Sequence, residues 1–338
     1  MRVCVALGVA GLVLAMPARA AELTRPYDAA PGVILVMGTK AKYDSLQKAV
    51  DSLPSTGGEI RLAPGVYREK VLISKPNVRL RGTGRKARDV VITWSDGAVQ
   101  VGGTFKTATL EVTGDDFRAD DLTIANDYWL RNKEPSQAVA LFVTGDRAVI
   151  NRVRMLGHQD TLYAASRKCE SADCPVSRQY FRDCYVEGHV DFIFGNAKAF
   201  FQNCEIHAIP HDEVTLTAHM RTGPNEDRAY VFDGCRITSE PGVGQLWFGR
   251  PWRDYSRVIF LNTRIDAELH PDGWREWTPG TTNRLTTAFY AEYNSSGIGR
   301  PRLAREPYSL QLSAVEAAQW SAKQLLSGTD GWSPQAAP

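Results

Sequence analysis

From Ala119 onward the chain repeats a six-residue pattern of apolar, variable, polar, small or apolar, variable, apolar. It reads ADDLTI from Ala119, INRVRM from Ile150, FRDCYV from Phe181, FQNCEI from Phe201, FDGCRI from Phe232 and FLNTRI from Phe260, with starts 31, 31, 20, 31 and 28 residues apart. The fourth and sixth positions are almost all apolar or small, the alternation of a strand with one buried face. Strands that recur at a period of roughly 20–50 residues predict a solenoid or a propeller. Before the repeats, YDSLQKAVDSL from Tyr43 to Leu53 sets Leu46, Ala49, Val50 and Leu53 on one helical face, and Pro54 and Gly57-Gly58 stop it. A short helix there is placed to cap the open end of a solenoid. The segments EIRLA, VLI, NVRLRG, VVITW and LEVTG read as strands, 313–326 as a C-terminal helix, and DGWREWTPG and AFYAEYNSSGIG as long loops. Turns, not helices, link the strands, which excludes a doubly wound sheet because parallel crossovers of that kind need a helix-length connection. The expected fold is all-β, a coiled parallel sheet.

Composition adds little to this but sets limits. Of 338 residues, 43% are hydrophobic and 23% charged, and no low-complexity linker interrupts the repeats, so residues 21–338 read as one elongated domain. Residues 1–20 stand apart: Arg2, an apolar run from Val3 to Ala15, Pro17 and Ala18-Arg19-Ala20 have the order of a secretory signal peptide. The run is shorter than the about 20 residues a membrane span needs, so export, with cleavage after Ala20, is the expectation. A formal net charge of +2 gives no argument for nucleic acid, and no RNA-binding or zinc-finger spacing occurs. Export permits disulfides. Cys184, Cys204 and Cys235 share the fourth repeat position and should stack inside the coil, with Cys184–Cys204 the first choice of pair because it brackets the shortest coil. Cys169 and Cys174 suit a local bridge, and fully reduced core cysteines are the other reading.

Two aspartates carry the chemistry. Asp160 lies ten residues after Ile150 and Asp191 ten after Phe181, so neighbouring coils should place them one strand spacing apart, about 5 Å. Carboxylates that close do not both ionise easily, and a cation fixes which one keeps its charge. Gln137 and Arg250 also share an offset, eighteen residues after Ala119 and Phe232, and are expected on the same surface. An ionised aspartate is a nucleophile, its protonated neighbour a general acid, Arg250 the orienting cation, and Gln137 and Gln159 neutral amide donors for an oxyanion. Together these describe ester hydrolysis. Taken singly, each has a plainer role: an aspartate after a strand forms turns, glutamines are solvated, and Tyr163, Phe194 and Trp252 pack. His207, His211 and His219 have loosely metal-like spacing without an acidic or cysteine partner, so no metal is expected. No G-x-S-x-G elbow is present, which disfavours a serine hydrolase.

The segments GVYRE at 65–69, QAVAL at 137–141, GHQDTLY at 157–163, VDFIFGN at 190–196, GRPW at 249–252, GW-x-x-W at 273–277 and YAEYN at 290–294 resemble the pectin methylesterases, or pectinesterases. The resemblance is to exported bacterial members and covers nearly the whole mature chain. It implies a right-handed parallel β-helix with no organic cofactor that de-esterifies methylated polygalacturonate. It implies Asp191 as nucleophile, Asp160 as general acid and base, Gln137 and Gln159 as transition-state donors, and Arg250 as the residue that holds the nucleophile. Trp252 resembles a sugar-contacting aromatic; Tyr163, Phe194, Gln137 and Arg250 join it as expected substrate contacts, and Cys184 and Cys204 match a bacterial disulfide pair. His189 departs from the family's usual threonine, and Phe248 from its usual leucine. The expected partner is pectin, bound by a monomer in the periplasm or outside the cell. A same-fold esterase for another ester and a non-catalytic polysaccharide-binding solenoid are the alternatives.

Overall fold

The repeated six residues form not one strand but a corner between two strands. In the copy from Phe181, the strand Arg178–Arg182 ends, Asp183 turns the chain, and Tyr185–Gly188 starts the next strand. The third repeat position adopts the left-handed backbone in every copy: Asp121, Arg152, Asp183, Asn203, Gly234 and Asn262 have φ between 49° and 64°. Asp, Asn and Gly are the residues that tolerate this conformation, and for that reason the third position is polar or glycine. Asn294 (φ 53°) marks a further corner in the stretch expected as a loop, between strands Phe289–Tyr293 and Ser296–Gly297.

The computed structural model describes residues 20–39, 41–168, 175–301, 305 and 307–334. The leader expected over 1–20 lies outside them up to residue 19, as do Cys169 and Cys174. The described strands stack into three sheets of twelve, nine and seven strands. Apart from the antiparallel pairs that Ile34–Val36 makes at the N-terminal end, the pairing is parallel and in register from coil to coil. This is a parallel β-helix, and parallel crossovers of this kind wind right-handed. No helix among the described residues is long and apolar enough to cross a membrane.

The core is a set of columns along the helix axis. The first repeat positions pair as Ile150–Phe181, Phe181–Phe201, Phe201–Phe232 and Phe232–Phe260. Their rings stack at 4.5, 4.4 and 4.6 Å from Phe181 to Phe260, within 11° of parallel. Each ring therefore buries both faces against its neighbours. The helix Leu46–Ser52 covers the N-terminal end with Leu46, Ala49 and Val50 buried. The Glu69 carboxylate accepts from the Leu46 and Gln47 amides at its start. The expected C-terminal helix is two short ones, Ala314–Ala318 and Ala322–Leu325, because the Ser321 side chain caps a new start. They pack on the first sheet against Tyr180, Phe200, Val231 and Ile259.

Cys184, Cys204 and Cys235 do share one inner column, as expected, but all three are free thiols in this structure. Each sulfur is directed at a carbonyl of the previous coil: Cys184 Sγ to Ile150 at 3.4 Å, Cys204 to Phe181 at 3.6 Å and Cys235 to Phe201 at 3.4 Å. The coil spacing suits a Cys184–Cys204 bridge, yet these side-chain orientations do not form one. Burial pushes the Cys184 and Cys204 thiols well above their ordinary range.

Candidate active site

The third sheet positions the candidate residues. Leu141, Leu162, Ile193, Thr217 and Gly249 form one row across five consecutive coils. Asp160 and Asp191 each stand two residues before this row, so they are neighbours across one rung of about 4.8 Å. The turns that carry them are stacked by the Asp160 amide donating to Val190 O at 3.1 Å and the Ala138 amide to Gln159 O at 3.1 Å. Both aspartates are left-handed, φ 64° and 51°, a conformation in which the chain turns sharply into the strand.

Arg250 arrives differently from the expectation. It stands one residue after the row, whereas Gln137 stands four residues before it, so their shared sequence offset is not a shared register. The turns from the first sheet to the third differ in length between coils, which breaks the equivalence. Arg250 nevertheless reaches Asp191 from two coils away. Its Nη2 donates to Oδ2 at 2.7 Å and its Nε to Oδ1 at 2.9 Å. Gly249 permits the approach: a Cβ there would lie 2.1 Å from Thr217 Oγ1 and 2.4 Å from the Thr217 carbonyl.

Asp191 has a second partner that sequence reasoning missed. The Thr215 hydroxyl donates to its Oδ1 at 2.6 Å and accepts from its backbone N–H at 2.9 Å. Trp277 is the other omission, its ring 4.3 Å from the Arg250 guanidinium. Its motif, GW-x-x-W, was visible, but nothing in it says which tryptophan is structural. Trp274 is, stacked on Tyr290 at 3.9 Å in the core. Thr215 gave no signal at all, because its partner is 24 residues away.

Asp160 and Asp191 are only 8% and 5% exposed, so their charges are poorly solvated. Burial, and then the Asp191 charge, push the Asp160 carboxyl well above its ordinary range, and Arg250 only partly opposes this. Burial would lower the Arg250 guanidinium, but its bonds to Asp191 outweigh that and hold it above its usual value. One carboxyl is thus disposed to keep its proton, while Asp191 accepts four hydrogen bonds, three from Arg250 and one from the Thr215 hydroxyl. Gln137 and Gln159 lie in the two stacked turns, partly exposed, and their side-chain amides have no partner among the described residues.

Aromatic rings continue the surface three residues beyond the carboxylates. Tyr163 and Phe194 are paired residues with rings 4.8 Å apart, and Trp252 lies 6.0 Å from Phe194. Phe142 and Phe105 extend the row, 4.7 and 5.0 Å from Tyr163. This floor borders an open cleft of about 1140 Å³ whose lining includes Phe105, Phe142, Tyr163 and Trp252 but neither aspartate. The carboxylates lie outside that lining, three residues before the paired Tyr163 and Phe194 in the same coils. A long polymer with apolar ring faces could lie along such a surface.

His158 and His189 flank the two turns in a column of rings. Trp129 stacks on His158 at 5.2 Å, and His189 lies 4.6 Å from Trp129 and 4.5 Å from His211. His189 Nδ1 accepts the Val190 amide at 2.7 Å, so its proton is on Nε2. Of the histidines weighed as metal-like, His207 is bonded to Thr238 and His219 to the Arg257 amide, in separate places.

A family model described as pectinesterase matches residues 32–329. Pectinesterase QRT1 of Arabidopsis thaliana is 37% identical over 313 residues, covering 88% of this chain and 78% of that one. The pectin methylesterase from carrot superposes with a TM-score of 0.78 at 30% identity, over 88% of this chain and 94% of that one. A pectin methylesterase solved in complex with a hexasaccharide superposes at 0.71 and 27% identity, over 88% and 95% of the two chains.

Proposed function

We infer the division of labour at this site from one premise: the chain belongs to the pectinesterase family. It is a carboxylic ester hydrolase that converts methylated polygalacturonate to pectate and methanol. The roles of its residues are our reading. The observation that carries it is the two-point grip of Arg250 on Asp191 beside a buried Asp160, whose carboxyl burial pushes above its ordinary range.

Asp191 attacks the C6 carbonyl of a methylated galacturonate. The Gln137 and Gln159 amides donate to the oxygen as it becomes negative. Asp160 gives its proton to the departing methoxide, which leaves as methanol, and an acyl anhydride joins Asp191 to the sugar. Asp160, now ionised, takes a proton from water, whose oxygen attacks the anhydride and frees pectate and the Asp191 carboxylate. Tyr163, Phe194 and Trp252 hold neighbouring sugar rings; a related pectin methylesterase has been solved in complex with a hexasaccharide.

The leader-like residues 1–20 and the match to cysteine positions of bacterial members support an enzyme of the bacterial exported type, released into the periplasm or the medium. The test is methanol release from highly methylated pectin by wild type and by the Asp160→Asn and Asp191→Asn variants. Loss of turnover in both, with the circular dichroism unchanged, is the expected result; full activity in the Asp191 variant would sink the assignment.

A further inference from the structure

We propose that Trp129 is a positioning residue for the ester hydrolysis: its single indole fixes the relative placement of the three turns that carry Gln137, Asp160 and Asp191. This rests on the pectinesterase reading and deepens it. After the strand Thr123–Asn126 the chain leaves the coil for the short helix Tyr128–Asn132, then returns to the third sheet at Leu141–Val143. The base of that excursion is rigid. Tyr128 is fully buried, and its amide donates to Asn126 Oδ1 at 3.1 Å. Gly97 makes room for the Tyr128 ring, since a Cβ there would lie 2.5 Å from it. The fully buried Asp127 accepts from Arg131 Nε at 2.9 Å and from Arg68 Nη1 at 3.1 Å. Trp129 is held on this base.

Three contacts of one ring system reach three turns. The Trp129 Nε1–H donates to the Ser136 carbonyl at 2.6 Å, immediately before Gln137. The ring stacks on His158, two residues before Asp160, with centroids 5.2 Å and planes 1° apart. It meets His189, two residues before Asp191, edge-on at 4.6 Å. Nδ1 of His158 and Nε2 of His189 are buried without a hydrogen-bond partner among the described residues. Apart from the His189 Nδ1 bond to the Val190 amide, ring packing is therefore what orients the two imidazoles. Gln137 itself is anchored through its carbonyl, which accepts from the Ala98 amide at 2.9 Å and the Ser136 hydroxyl at 3.2 Å. The position of its free side-chain amide is set by this backbone, and Trp129 ties that backbone to both carboxylate turns at once. A donor to an oxyanion displaced by about 1 Å can cost a hundredfold in rate. Trp129 is absent from the cleft lining, so it acts through the turns and not on the sugar.

The test is steady-state methanol release from highly methylated pectin by Trp129→Phe, Trp129→Leu and Gln137→Ala, and by the Phe and Ala changes combined. Trp129→Phe keeps a ring and loses the bond to Ser136, so kcat should fall about fivefold with KM unchanged. Trp129→Leu also loses the stack and should lower kcat by about a hundredfold. In the Gln137→Ala background, Trp129→Phe should cost nothing further, because the donor it places is gone. A merely structural role would repeat the same loss in both backgrounds. Thermal unfolding of the Phe variant should move little, since Trp129 is partly exposed and absent from the main core; should the Leu variant fail to fold, the Phe variant decides. Trp129→Phe or Gln137→Ala as fast as wild type, a raised KM in place of a lowered kcat, or an undiminished effect in the double variant would each overturn the positioning role. Wild type that releases no methanol would instead overturn the pectinesterase reading beneath it.

Discussion

Arg250 grips both oxygens of Asp191 from two coils away, at 2.7 and 2.9 Å. The carboxylate we propose as nucleophile is thereby fixed in plane by two hydrogen bonds. The solenoid makes this possible because residues far apart in sequence stand one rung apart in space. Thr215, on the coil between, completes the clamp.

Replacing Arg250 with lysine keeps the charge and removes the fork. A lost charge-assisted hydrogen bond is worth about 2 kcal/mol, roughly a thirtyfold fall in kcat. Steady-state methanol release should show this in kcat, with KM little changed. A variant as fast as wild type would mean that Arg250 supplies charge alone.

The raised carboxyl of Asp160 sets the direction of two pH effects. In the proposed mechanism it must be protonated to release methanol, so kcat/KM should fall as pH rises through its elevated pKa. Asp160→Asn should lower kcat by about a hundredfold or more and abolish that alkaline limb. For stability, the folded protein holds a proton that the unfolded chain releases at the ordinary value of 3.8. The stability this contributes is complete below 3.8 and is lost as pH rises through the folded value. The Asn variant should therefore unfold at higher denaturant than wild type at neutral and alkaline pH. A lower midpoint there would contradict the sign.

The stacked histidines predict the opposite trend in acid. Burial pushes His158 down to about 4, and burial with the neighbouring His158 and His211 pushes His189 down to about 2. Unfolded, each takes a proton near 6.5; folded, neither does until far lower pH. Stability is thus present above 6.5 and declines as pH falls toward the folded values, by about 1.4 kcal/mol per pH unit for each group. Urea midpoints measured between about pH 7 and pH 5 should drop in wild type and drop less in His189→Thr. Parallel lines for the two proteins would show that His189 does not resist protonation.

Trp252→Ala should weaken substrate more than it disturbs folding. Loss of one aromatic platform costs about 1.4 kcal/mol, roughly tenfold in KM. Thermal unfolding should move little, since the ring lines the cleft and is absent from the main core. An unchanged KM would remove Trp252 from the sugar-binding surface.

The aspartate pair was legible because equal offsets in two copies of a repeat become equal registers when the intervening turns match. Arg250 met its partner although its offset argument failed, since the turn before it differs from the turn before Gln137. Thr215 and Trp277 left no readable trace, because contacts between coils have no fixed sequence separation. The six-residue unit was recognised as a strand and not as a corner. Its third position held the missing information: Asp, Asn or Gly in five of six copies is the signature of a left-handed residue, which alternation alone does not reveal.

The left-handed backbone at Asp160 and Asp191 bears on how either side chain should be interrogated. Alanine in that conformation carries a steric penalty of about 1–2 kcal/mol that aspartate and asparagine largely escape. An alanine scan through these turns would report chemistry and geometry in a single number. Amide replacement keeps the bend and isolates the proton and the charge, so the most informative knockout in this fold is the one that preserves shape.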